Sequence, residues 1–189
     1  MHKTRLEAFS DGVLAILITI MVLDFRVPEG GDWAALRTLG PTLSAYVMSF
    51  VYLGIYWNNH HHLFHTVDRV TGGMLWANLH LLFWLSLVPF VTHWMGDNGH
   101  APLPTALYGI VLLCAGLAYT ILVRVIVQAQ GAQSRLKAAI GNDAKGYLSL
   151  VFYIVAILTT FVRHEIAWGF YVLVALIWLV PDRRIERVA

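Results

Sequence analysis

Charge is scarce in this chain. Asp, Glu, Lys and Arg make up 13% of its 189 residues, about half the roughly 25% of an ordinary soluble domain. The formal net charge is only +2, so nothing favours a polyanionic partner. The single cysteine, Cys114, excludes an intrachain disulfide. It sits in the apolar run Leu112-Leu113-Cys114-Ala115-Gly116 and reads as a small packing residue, because a reactive thiol needs polar or cationic neighbours. The redox compartment is left open. No G-x-x-x-x-G-K-[ST], G-x-G-x-x-G or H-E-x-x-H run occurs, so the nucleotide-binding and zinc-hydrolase fingerprints are missing.

Apolar residues take the place of the missing charge, at 58% of the chain with a mean hydropathy of +0.65. A water-soluble domain of this size could not bury so much apolar surface. Apolar stretches near the length of a bilayer span recur, separated by short polar or Pro/Gly punctuation. They lie at about 12–25, with Ala8 and Phe9 extending the first, and at 39–57, 72–94, 103–127, 147–162 and 166–180. The expected fold is an all-α polytopic membrane protein, one six-helix transmembrane domain over residues 1–189 with no soluble domain. Arg163-His164-Glu165 alone separates spans five and six, which predicts a tight helical hairpin. Lys3 and Arg5 before an apolar run raise the question of a signal peptide. Asp24-Phe25-Arg26 follows instead of a small-residue cleavage site, so the segment reads as a retained span.

Six spans place most basic residues on one side. These are Lys3, Arg5, Arg69, Arg135, Lys137, Lys145, Arg183, Arg184 and Arg187. Opposite them, Arg26, Arg37 and Arg163 are mixed with Asp24, Glu29, Asp32, Asp97 and Glu165. The positive-inside bias therefore predicts a cell-membrane protein with both termini cytoplasmic.

The first helix carries the most information. At about 100° per residue, Ile16, Ile20 and Leu23 share a narrow face with Gly12 and Thr19 at its edge. Glu7 and Asp11 project from nearly the opposite side. An acid so near the membrane calls for a partner, and His60, Asn78 and Trp57 are the candidates. The Ile/Leu stripe would face lipid, another helix or a pore; the residues alone leave these open.

The run Arg5-x-x-x-Phe9-Ser10-Asp11-Gly12, followed by Ile16, Thr19, Ile20 and Leu23, resembles the opening helix of the transmembrane protein 175 potassium channels. Trp57-x-x-His60, Asn78 and Leu87-Val88-Pro89-Phe90 extend the resemblance. It implies a bacterial type with one six-span repeat, assembled as a homotetramer in membrane lipid and permeable to potassium and related monovalent cations. It also implies that the first helices line the pore. Ile16 would form the constriction and gate, with Ile20 and Leu23 further along, and Thr19 a hydroxyl layer bearing on selectivity. Arg5, Phe9, Ser10, Asp11, Trp57, His60 and Asn78 would form a structural network. Thr-Val-Gly-Tyr-Gly, the filter of ordinary potassium channels, is absent, so selectivity would be moderate. No cofactor, metal or catalytic residue is assigned.

Nine histidines invite another reading. His61 and His65 are spaced to share a metal on one helix face, and with His60 and a carboxylate they would make a membrane-embedded metal-dependent enzyme. The plainer expectation is interfacial and interhelical polar contacts, or a pH sensor. A transporter of protons or small solutes is the third class, although no internal repeat supports it. Trp33, Trp94 and Trp168 fall near span ends, as interfacial aromatics do. Gly109, Ala115, Gly116 and Ala118 give span four a small-residue face for close packing.

Overall fold

The computed structural model describes residues 3–131, 134, 136–137 and 143–179, and those residues fold as helices joined by short turns. Helix α1 (Lys3–Ile20) ends in a 3-10 turn over Met21–Asp24. The short α2 (Trp33–Thr38) leads into α3 (Gly40–His65), then α4 (Gly72–Ser86), α5 (Val88–Asp97) and α6 (Pro102–Gln130). Helices α7 (Ala144–Thr160) and α8 (His164–Leu179) complete the bundle. Arg135, Arg183, Arg184 and Arg187, which enter the orientation argument, lie outside the described residues.

Local chemistry sets the helix ends. The Asp32 carboxylate accepts from Ala35 N at 2.8 Å, and Thr71 Oγ1 accepts from Met74 N at 3.3 Å. Each satisfies an amide that the first helical turn leaves unpaired. Pro41 and Pro102 occupy first turns, where no amide hydrogen is needed. Pro89 splits the third span, because it has no amide hydrogen to donate to the carbonyl one turn earlier, and it is tolerated in the first turn of the helix that follows. The chain therefore restarts as α5 around Leu87.

Lys3–Asp24, Gly72–Asp97 and Pro102–Gln130 are long and apolar enough to cross a membrane, and α7 and α8 are shorter apolar helices. The protein is a multi-pass membrane protein. Two boundaries differ from the sequence reading. Helix α3 runs eight residues past Trp57, where the apolar run ends, so Asn58 to His65 continue the same helix. His164 and Glu165 form the first turn of α8, not the connection before it. An acid there is favoured by the positive end of the helix dipole.

Helix α6 is the hub, packing on α4, α5, α7 and α8, while α1 packs on α3, α4 and α5. Close approach depends on glycine at two crossings. A Cβ at Gly96 would lie 2.8 Å from the Thr42 backbone of α3, and one at Gly109 would lie 2.9 Å from Ile157 of α7 and press on the Tyr171 hydroxyl. Ala115 and Ala118 of α6 are also fully buried. Buried hydroxyls are paired across helices. Ser49 Oγ lies 2.7 Å from Thr92 Oγ1 and donates to Tyr108 Oη at 3.1 Å. Tyr52 donates to the Tyr171 carbonyl at 2.7 Å, and Tyr171 donates to that of Thr105 at 3.0 Å. Unpaired, each such group would cost about 1–3 kcal/mol.

Candidate functional site

Helix α1 divides cleanly into faces. Leu6, Ser10, Leu14, Leu17 and Met21 are buried, repeating at three and four residues as one stripe against the bundle. The other stripe is left uncovered by the chain's own helices. Ile16 is 59% exposed, Ile20 39% and Leu23 79%, and Thr19 is exposed beside them. Towards the start of the helix the same side continues through Gly12, Phe9 and Arg5, all exposed. The Thr19 hydroxyl donates to the carbonyls of Ala15 at 2.9 Å and Ile16 at 3.0 Å. Its proton is thus held by its own helix, and its oxygen lone pairs remain open to whatever faces the stripe.

Two separate contacts fix the rotation of α1. On the exposed flank, Trp57 Nε1 of α3 donates to the Asp11 carboxylate at 3.1 Å. Inside the bundle runs a second chain of bonds. The Asn78 amide nitrogen of α4 donates to Ser10 Oγ at 3.0 Å, and Ser10 donates to the Leu6 carbonyl at 2.9 Å. That leaves Asn78 Oδ1 facing His60 Nε2 of α3 at 2.8 Å, so this ring nitrogen carries the hydrogen. Ser10, Asn78 and His60 are all buried, and the linkage crosses three helices with its polar groups matched. Phe64 packs on the His60 ring at 4.6 Å between centroids.

The residues singled out from the sequence therefore fall into two groups that touch α1 on different sides. Asp11 meets Trp57, while His60 and Asn78 reach Ser10. Arg5 and Phe9 stay outside both groups on the exposed stripe. A further tie, at the far end of α1, has no local signature in the sequence. Arg26 Nη2 lies 3.2 Å from Asp97 Oδ2 of α5, and His93 Nε2 lies 3.5 Å from the same oxygen. The mixed charges of those loops were visible, but not their pairing.

The enzyme constellation does not assemble. His60 is turned into the bundle onto Asn78, whereas His61 and His65 are exposed on the other side of α3. Among the described residues no three His, Cys, Asp or Glu side chains come together as a metal set.

The model of the family described as endosomal/lysosomal potassium channel TMEM175 matches residues 5–89. A potassium channel of Chryseobacterium sp. (strain P1-3) is 59% identical over 187 residues, covering 99% of this chain and 97% of the relative. The chain belongs to the TMEM175 family. A solved structure reinforces the assignment: the lysosomal potassium-selective channel TMEM175 homolog from Chamaesiphon minutus superposes with a TM-score of 0.83. It is 26% identical, over 95% of this chain and 97% of that one. The human relative is named an endosomal/lysosomal proton channel and is 41% identical over 86 residues, 39% of this chain and 17% of its own length. These relatives are named as channels, and the chain is not an enzyme. The family match covers α1 to the start of α5, the stretch that holds the exposed stripe and both of its ties.

Proposed function

We propose that the chain is a potassium-permeable cation channel, in which four copies place their α1 helices around a central pore. The observation that carries this reading is the uncovered stripe of Ile16, Thr19, Ile20 and Leu23 on a helix whose rotation is fixed from two sides. A stripe meant only for lipid has no use for Thr19, Gly12 and Arg5 along its length. The names of the bacterial relatives support potassium as the permeant ion.

In this reading Ile16 is the gate, with Ile20 and Leu23 narrowing the same path. Four apolar side chains around an axis expel water from a narrow constriction, and an ion cannot pass without its hydration shell. A small rotation or outward shift of α1 would rewet it. Thr19 oxygens would replace part of the shed hydration. With no carbonyl cage, selectivity for potassium over sodium is moderate, and bi-ionic reversal potentials measure it directly. Asp11 serves α1 positioning through Trp57 and is not a conduction site. The whole of residues 1–189 acts as one channel domain without a cofactor, in the cell membrane with both termini cytoplasmic.

Potassium-driven flux from proteoliposomes, wild type against Ile16→Asn, tests the proposal. Fast flux that rises or loses selectivity in Ile16→Asn is the expected result. Absence of flux from both well-folded forms would overturn it.

A further inference from the structure

The histidine run at the end of α3 is not used by the pore, and its geometry is specific. His60 is committed to Asn78, but His61 and His65 stand one helical turn apart on the same exposed face. Their ring centroids are 4.4 Å apart with planes at 67°. One turn earlier, Trp57 lies nearly parallel to His61 with centroids at 6.3 Å and 24°, so His61 is flanked on both sides along the helix. No hydrogen bond or ion pair occupies the His61 or His65 nitrogens among the described residues.

We infer that His61 and His65 form a two-imidazole binding site for a divalent transition metal of the zinc, nickel or copper class. Such ions bind imidazole nitrogen at about 2.0–2.1 Å, and two histidines four residues apart on one helix face are spaced to share one ion. Hard cations such as magnesium, calcium and potassium prefer oxygen donors and gain little here. Because no third protein ligand joins the pair among the described residues, water fills the remaining positions, and the ion exchanges freely. His62 is the nearest competitor, with its ring 5.6 Å from that of His61. It projects about 100° further round the helix and is not part of the pair. Protons compete for the same lone pairs, so acid releases the metal.

The site is independent of conduction, since binding is measured without any ion flux. Nickel titration of the tag-free full chain in detergent, followed by calorimetry, tests it. Wild type is expected to bind one equivalent per chain, His61→Ala and His65→Ala each to lose it, and His62→Ala to keep it. All three positions lie at least partly exposed, and elution volume checks that each variant is folded. Should an alanine variant elute abnormally, His61→Gln or His65→Gln takes its place. Binding that survives at His61→Ala or His65→Ala, binding lost in His62→Ala, or no binding by wild type, would overturn the assignment.

Discussion

Trp57 on α3 donates its indole hydrogen to the carboxylate of Asp11 on α1 at 3.1 Å, across the exposed flank of the bundle. This bond joins the helix with the uncovered Ile/Leu stripe to the helix with the histidine run. Hydrogen bonds to charged groups contribute about 1.5–3 kcal/mol when sheltered and less when exposed, so Trp57→Phe should cost about 1 kcal/mol. Asp11→Ala should reduce the recovery of assembled channel more than it alters the potassium-to-sodium reversal potential. Light scattering on the purified assembly and bi-ionic recordings read the two effects separately. Normal assembly with altered selectivity would place Asp11 on the ion path.

Asn78 is the middle of the buried linkage, and its removal strands both neighbours. Asn78→Ala leaves the His60 N–H without its acceptor and Ser10 Oγ without its donor. At about 1–3 kcal/mol for a buried unsatisfied group, the loss should reach at least about 2 kcal/mol. Ser10→Ala, which strands only the amide nitrogen of Asn78, should cost less. Thermal unfolding in detergent ranks the two, and the reverse order would argue against a continuous linkage.

Leu14 and Ile16 are two residues apart on α1 with opposite surroundings, at 1% and 59% exposed. Leu14→Ala opens a cavity under the helix and should cost about 2–5 kcal/mol. Ile16→Ala should leave the unfolding temperature of the chain nearly unchanged while changing flux. A large stability loss at Ile16 with no change in flux would mark the stripe as a packing surface only.

His100 lies in the turn between α5 and α6, where its Nε2 donates to the Pro41 carbonyl at 3.1 Å and its ring meets Trp168 at 4.6 Å. Burial lowers its pKa below the ordinary histidine value, and the charge of His164 acts in the same direction, against the Pro41 bond. The unfolded chain then binds the proton more readily than the folded one. Stability is full above about pH 6.5 and falls as pH drops through the lower folded value. Wild type should therefore melt at a lower temperature at pH 5.5 than at pH 7.5, and His100→Gln should narrow the gap. An unchanged gap would assign the acid sensitivity to another group.

Much of this was legible because lipid imposes a strict length and composition on each span. All six apolar runs correspond to helical segments, and the partner candidates for Asp11 included Trp57. Helix α3 was read short because hydropathy measures the cost of Asn and His in lipid, not their ability to continue a helix past Trp57. The division of one expected network into two was illegible for a different reason. Ser10 and Asp11 are adjacent in sequence but about 100° apart on the helix, and only the placement of α3 and α4 around α1 decides which partner each one meets. The Arg26–Asp97 pair depends on how the loop after α1 turns back towards α5, which no local pattern encodes.

The Thr19 hydroxyl spends its only hydrogen on its own backbone, and the apolar side chains beside it offer none. Between Ile16 and Leu23 an anion therefore meets no side-chain donor to replace the water it must give up, while a cation meets the Thr19 oxygen. Four such helices facing one axis would sort ions by sign through the direction of a hydrogen bond, without a single formal charge along Ile16 to Leu23.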